Sequence, residues 1–282
     1  MINKPPPTVT YNNVAIKPAK EIKILGLTFK NHRHKDKINF HPHIVKLESR
    51  VTRIKNILFG LSGKIWGINS RKRKTLYISV IRPILTYAAT VWFPLLNKKD
   101  AHKIDSIQYK VLTFVISAYR TTSYECTHLL AGVPRVSDYI RICNIKRNQK
   151  KMGTDPESIK NLLAIEYDKT KNSYLNDANE NFRAFFPTGV PKYFWPNFYT
   201  TQFTTGHGCF NEYLSKMGKA ENPSCPCNHT DTQTPTHLLT HCNLFNTPFN
   251  TPHLYTNTQE HTYIFTKTCK YIIHTLNTQL NL

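Results

Sequence analysis

Four residues in the last quarter of the chain have the types and spacing to hold a metal ion. Cys225-Pro226-Cys227 is followed by His237 and Cys242 in the pattern C-x-C-x9-H-x4-C. Two thiolates one residue apart, on a turn carrying Pro226 and Asn228, can meet one metal. His237 and Cys242 close the set from a short helix started by Thr234-Pro235. Four nitrogen and sulfur ligands with no open position describe structural zinc, whereas a catalytic zinc keeps a water. In so small a segment the metal supplies much of the folding free energy. Spacing leaves His229 and His241 as rival ligands, and ordinary buried cysteines as the plain alternative. Cys126, Cys143, Cys209 and Cys269 have no local partners and read as core residues.

A second set of residues could hold phosphate. Lys46, Arg50 and Arg53 recur at spacings of four and three on a helix, with Lys64 further along. Arg71-Lys72-Arg73-Lys74 precedes another helix, where four cations oppose the dipole and favour a bound anion. The same block could serve as a nuclear-import signal, and the expected location is the nucleus. Nothing in the sequence supports base-specific readout, and the aromatic residues fall mostly on apolar stripes.

Composition agrees with a polyanion partner. The chain of 282 residues carries 38 Lys and Arg against 17 Asp and Glu, a net charge of +21. Residues 1–153 hold 29 basic and 7 acidic side chains, and residues 154–282 hold 9 and 10, so the whole excess lies in the first half. Hydrophobic residues at 40% exclude wholesale disorder. No apolar signal region follows Met1 and the cysteine count is odd, which points to a reducing compartment and to metal rather than disulfides. The apolar run Leu76–Leu96 contains Arg82 and Pro83 and reads as a core helix rather than a membrane span.

These residues need a mainly α scaffold with a short N-terminal β-hairpin. Ile22–Phe29 reads as a strand, with Val14 and Ile16 as its hairpin partner, and Lys30–Lys37 as a charged turn. Three amphipathic helices follow. The first has Ile44, Leu47, Val51, Ile54, Leu58, Leu61 and Ile65 on one face. The second has Leu76, Val80, Ile84 and Ala88, with a kink at Pro83. The third starts at Asp100 as N-cap and carries Ile104, Ile107, Val111, Val115 and Tyr119. Shorter helices are expected at Glu125–Ala131 and Ser137–Lys151. The organisation expected is strands and a hairpin at 1–40, a basic helical bundle at 41–151, and a linker at 152–203 with one short helix, Ser158–Tyr167. The Cys/His segment covers 204–245, and a tail at 246–282 carries a helix over Tyr263–Leu276.

Several blocks together resemble the reverse transcriptases of non-LTR (LINE-type) retrotransposons. Leu25-Gly26-Leu27 followed by the helix start at His41–Ile44 is similar to that family's passage from palm to thumb. Arg82-Pro83-Ile84-Leu85-Thr86-Tyr87 with Val91-Trp92 resembles its thumb helix motif. Ala118–Thr122 with Leu130–Pro134, and Thr205–Phe210 with Tyr213-Leu214 and Gly218, resemble the blocks that follow. Cys225, Cys227, His237 and Cys242 fit its terminal Cys/Cys/His/Cys motif.

The resemblance implies a thumb-like bundle that holds a template–primer duplex and a zinc-knuckle-like segment that binds RNA or target DNA. It implies RNA and DNA as partners, no membrane, and an upstream portion of a parent polyprotein. The family's polymerase carboxylates, which hold Mg ions in the palm, have no counterpart, since no two aspartates are adjacent anywhere in the chain. No endonuclease or ribonuclease H pattern is visible either, so no catalytic residue is expected. The chain reads as truncated near the end of the palm. Three functions follow: a non-catalytic nucleic-acid-binding fragment, a complete reverse transcriptase whose palm is encoded upstream, or a relic or interaction protein without a metal site.

Overall fold

A computed structural model describes residues 9–12, 14–16, 19–31 and 38–279. The chain starts with two small antiparallel units, β1 (Val9–Tyr11) with β2 (Val14–Ile16), and β3 (Ile22–Ile24) with β4 (Leu27–Asn31). The expected long strand is therefore itself a hairpin, with Ile22 opposite Phe29, and Val14–Ile16 pairs upstream instead. The reason is the Leu25-Gly26 turn. Both residues take positive φ, +47° and +85°, the two-residue geometry whose twist matches its flanking strands. A third strand, β5 (Ile38–Asn39), pairs with β4, and most of the expected charged turn lies outside the described residues.

From there the fold is helical. α1 (His41–Leu61) starts with Pro42 in its first turn and turns Ile44, Leu47 and Val51 inward. It stops short of Ile65, which lies exposed in the loop beyond it. Next come α2 (Ser70–Leu76), a π-helical turn at Tyr77–Ile81, α3 (Arg82–Thr86) and α4 (Ala89–Trp92), ending in a 3-10 turn at Phe93–Leu95. Pro83 has no N–H for the ladder, and the kink expected there is taken up by the wider π turn just before it. The chain bends again by 41° near Ala88, whose φ is +50°. The buried stripe is Tyr77, Ile81, Leu85, Ala89 and Trp92, one residue away from the expected one. Among the described residues no single helix is long and apolar enough to cross a membrane, though this bent pair passes on length and composition.

α5 (Lys98–Val115) is capped by Asn97, whose Oδ1 accepts from the Asp100 amide at 2.8 Å. Asp100 is thus third in the helix rather than its cap, and its own carboxylate accepts from His41 Nδ1 at 2.7 Å. Ile104, Ile107, Val111 and Val115 are buried as their spacing requires, while Tyr119 lies past the helix end. α6 (Tyr124–Ala131), capped by Ser123 and ended by Gly132 at φ +58°, packs on α5 and leads to α7 (Val136–Lys151).

Residues 152–203 are not an extended connection. Asp155 caps α8 (Pro156–Asp177), 22 residues long, which packs against α6 and α7 through Ile159, Thr170 and Tyr174. α9 (Glu180–Phe185) and α10 (Phe198–Thr205) then carry Phe182, Phe185 and Phe203 into the interior. After α11 (Asn211–Lys216) and α12 (Pro235–Thr240), a 3-10 turn at Pro252–Thr256 and α13 (Gln259–Gln279) complete the fold. α13 extends a turn or less beyond each end of the expected helix, and buries Phe265, Cys269, Ile272, Ile273 and Leu276 against α10. One contiguous core runs from Phe40 to Leu276.

A buried histidine links this core to pH. His128 Nδ1 donates to Val133 O at 2.9 Å, and desolvation lowers its pKa to about 4. The unfolded chain takes up the proton near 6.5 and the folded chain does not. Stability is therefore full above pH 6.5 and is lost as pH falls toward 4, by about 3 kcal/mol over the window. Urea unfolding at pH 7.5 and 5 should show about 2 kcal/mol of this loss, and His128→Gln should shrink it. An equal loss in both proteins would remove His128 as its cause.

Candidate metal centre and basic face

The sequence from Pro223 to Cys242 folds as a knuckle and a short helix that face each other. Ser224 bridges to Thr232, and the Cys225 amide donates to Asp231 O at 2.7 Å. Asn228 Oδ1 accepts from the amides of Thr230 and Asp231, and His229 sits at φ +60°, so the chain reverses tightly after the two cysteines. Thr234 caps α12 by accepting from the His237 amide at 2.9 Å, with Pro235 in the first turn. Cys242 follows the helix end, its amide donating to His237 O at 2.9 Å.

This backbone brings the four predicted side chains together. Their ligand atoms all lie within 4.8 Å of one another. Cys225 Sγ is 3.7 Å from Cys242 Sγ, and Cys227 Sγ is 3.2 Å from His237 Nε2. A tetrahedral zinc with Zn–S of about 2.3 Å needs sulfurs about 3.8 Å apart and sulfur–nitrogen gaps of about 3.5 Å. The spacing fits, and the group is one that could hold a metal ion, with a donor set compatible with zinc. The other ring nitrogen, His237 Nδ1, lies 3.8 Å from Asp231 Oδ2, beyond hydrogen-bond reach but near enough for the carboxylate charge to act on the ring. Burial pushes the Cys242 thiol up to about 12, raises that of Cys225, and lowers the pKa of His237. Metal would compete with protons for these sulfurs, so its affinity falls as pH falls.

The rivals stand apart. His229 and His241 are exposed, and His241 Nδ1 is hydrogen-bonded to Thr240 Oγ1. Cys126, Cys209 and Cys269 are buried core residues, and Cys143 is half-buried.

The basic residues separate into groups with different work. Lys46, Arg50 and Arg53 are exposed on α1. Lys46 and Arg50, with Lys23 of β3, line a cleft of ≈ 680 Å³ between the hairpin, α1 and α3. Lys46 Nζ also makes a 3.3 Å contact with Glu21. Lys64 lies with its ammonium 4.3 Å from the Tyr119 ring centre, and desolvation followed by the Arg120 charge lowers its pKa. Arg71 and Lys72 are exposed, but Lys74 donates to Gly132 O at 3.1 Å.

Arg73 leaves the set altogether, because only 4% of it is exposed. Its guanidinium donates to Ser62 Oγ, Gly63 O, Phe114 O and Ser117 Oγ, so its donors are turned inward. The sequence reading missed a further basic stripe on α7, where Lys146, Arg147, Lys150 and Lys151 border a shallow depression of ≈ 390 Å³. Their pairing four residues apart was the available signal.

No protein-family model and no solved structure matches the chain. Curated relatives do. A retrovirus-related Pol polyprotein from type-1 retrotransposable element R1 4 of Nasonia vitripennis is 25% identical over 232 residues, covering 74% of this chain and 57% of that protein. The corresponding R1 Pol polyprotein of Bradysia coprophila is 26% identical over 262 residues, covering 85% of this chain and 26% of the relative. A putative 115 kDa protein in element R1DM of Drosophila melanogaster is 24% identical, over 78% of this chain and 23% of its own length. The chain thus spans between about a quarter and somewhat over half of these relatives. Over most of its length it is homologous to the Pol polyproteins of R1 non-LTR retrotransposons, which supports a retrotransposon-derived region.

Proposed function

We propose that this region is a non-catalytic, nucleic-acid-binding part of a LINE-type RNA-directed DNA polymerase. The helical body acts as a thumb against the template–primer, and the Cys/His knuckle, folded around zinc, binds RNA or target DNA. The observation that carries the reading is the row Lys46, Arg50 and Arg53, solvent-facing on one helix, with the first two opening onto the cleft beside the hairpin. Exposed cations along a groove neutralise phosphates without reading bases.

The test is salt dependence. Binding of labelled duplex to the full chain should weaken linearly on a log–log scale as salt rises. Lys46→Ala/Arg50→Ala/Arg53→Ala should reduce the slope by about 0.9 for each phosphate that is no longer neutralised. Affinity and slope that are unchanged in the triple variant would reject this face.

A second reading has support from the relatives, which are Pol polyproteins longer than the matched stretch. In it a Mg-dependent palm lies outside residues 1–282 and this region serves a complete polymerase. An adjacent-aspartate motif in the transcript upstream of Met1, with primer extension by the longer product, is the deciding observation.

A further inference from the structure

We infer that the cleft between the loop after α1 and Trp195 is a base-stacking site for single-stranded nucleic acid. The inference rests on the nucleic-acid reading above and adds a mode of recognition to it. Lys64, Ile65, Trp66, Asn69, Arg71 and Trp195 contribute to a cleft of ≈ 440 Å³ whose lining contains no carboxylate. Of the three tryptophans, Trp92 is fully buried, while Trp66 is 57% exposed and Trp195 39% exposed. Two part-exposed indoles bordering one cleft offer flat apolar faces on which unpaired bases can stack.

The loop that presents Trp66 is built, not slack. Ser62 is fully buried, and its Oγ accepts from Arg73 Nε at 3.2 Å and Nη2 at 2.7 Å. The same hydroxyl lies 3.1 Å from Trp66 O and 3.2 Å from Ile68 O, which fixes the ring of residues 62–68. A Cβ at Gly63 would fall 2.3 Å from Trp66 Nε1, so the indole is seated against bare backbone there. Gly67, at φ +84°, closes the loop where a Cβ would meet Ser62 Cα at 2.7 Å. Trp66 is therefore displayed on a pinned support and pays little ordering entropy on binding.

Cations line the same cleft as the two indoles. Arg71 has its guanidinium 5.5 Å from the Trp195 ring centre, and Lys64 directly precedes Ile65 and Trp66 on the loop. Flat aromatic faces interleaved with positive charge match a strand that carries one phosphate per unpaired base. A duplex hides its base faces within the stack, so the indoles select single strands.

The experiment uses the full zinc-loaded chain with labelled oligo(dT) and oligo(U) of roughly 12 nucleotides, and a duplex of equal length. Trp66→Ala should weaken binding of the single strands about 10-fold, with the salt slope unchanged because an indole releases no counterions. Duplex affinity should not move, and Trp66→Phe should restore most of the loss. In the parent chain, either oligonucleotide should quench the two exposed tryptophans and spare Trp92. A loss confined to oligo(U) or to oligo(dT) would assign the site to RNA or to DNA.

Single-strand affinity in Trp66→Ala within twofold of the parent would overturn the inference and leave the α1 face standing. So would a variant whose only change is in self-association by sedimentation, which would make the patch a protein contact. A parent chain that binds no nucleic acid at low salt would overturn both readings.

Discussion

Replacing Cys225 or Cys242 with serine should abolish stoichiometric zinc and unfold the 205–245 segment. Purified chain is expected to hold one zinc, and cobalt in its place should give the spectrum of a tetrahedral thiolate site. His229→Ala and His241→Ala should leave the metal content unchanged, since both side chains are exposed and neither belongs to the four-residue group. The effect should be large because a bound metal would tie the 223–232 knuckle to α12 and Cys242 through all four side chains. Apparent zinc binding energies in small Cys/His modules are about 10–16 kcal/mol. Without metal, Cys225 and Cys242 remain as buried thiols beside Leu238 and Leu239, which belong to the common core. The damage should then spread through Tyr255, whose hydroxyl donates to Leu239 O at 2.8 Å. Amide exchange would read this as lost protection in α12 and in the 252–256 turn. Metal-free protein with full protection there would refute the structural role, and would favour a relic with no metal site.

The second large effect is expected at Arg73. Arg73→Met should cost about 3 kcal/mol, seen as a lower urea midpoint at unchanged slope. Among the described residues the buried guanidinium has no carboxylate partner, and its charge is met by hydroxyls and carbonyl dipoles. One of these is Phe114 O, in the last turn of α5, where the helix dipole presents its negative end. The Met variant would leave Ser117 Oγ and the carbonyls of Gly63 and Phe114 short of donors. Arg73→Lys should rescue little, because one ammonium cannot reach Ser62 and Ser117 together. Lys72→Ala, one residue away and exposed, should be nearly neutral for stability. A midpoint in Arg73→Met equal to that of Lys72→Ala would contradict this account.

The basic block at 71–74 shows how far a linear reading reaches. Four like residues in sequence become two exposed cations, Arg71 beside Trp195 and Lys72, with one buried tether and one lysine docked on Gly132. Whether an arginine is buried depends on acceptors 10 to 44 residues away, which no local pattern reveals. The cluster of Cys225, Cys227, His237 and Cys242 was legible because its spacing and cap lie within one short segment. The second helix was legible in type but not in phase. Its apolar residues come as adjacent pairs, Leu76-Tyr77, Val80-Ile81 and Ile84-Leu85, so two neighbouring stripes fit equally well, and packing selects one.

α8 escaped notice at its true length because it buries few residues and shows no strong stripe. Its start was nevertheless written in Asp155-Pro156, a cap followed by a first-turn proline. The aromatics from Phe182 to Phe203 sit among prolines that suggest a linker, yet Phe185 and Phe203 pack on Phe265 of α13, more than sixty residues on.

The bent run from α2 to α4 also bears on how the chain reaches its native state. Its inward residues, Tyr77, Ile81, Leu85 and Trp92, are buried beneath helices that come from elsewhere, with α1 before it and α5 and α7 after it. Until α7 has been synthesised, the most apolar stretch of the molecule has nowhere to hide, in a chain otherwise dressed in positive charge. Such a stretch is a natural substrate for a holdase chaperone and a natural seed for aggregation. Pieces of this region cut before residue 151 would carry that liability permanently, and the intact chain carries it only in passing.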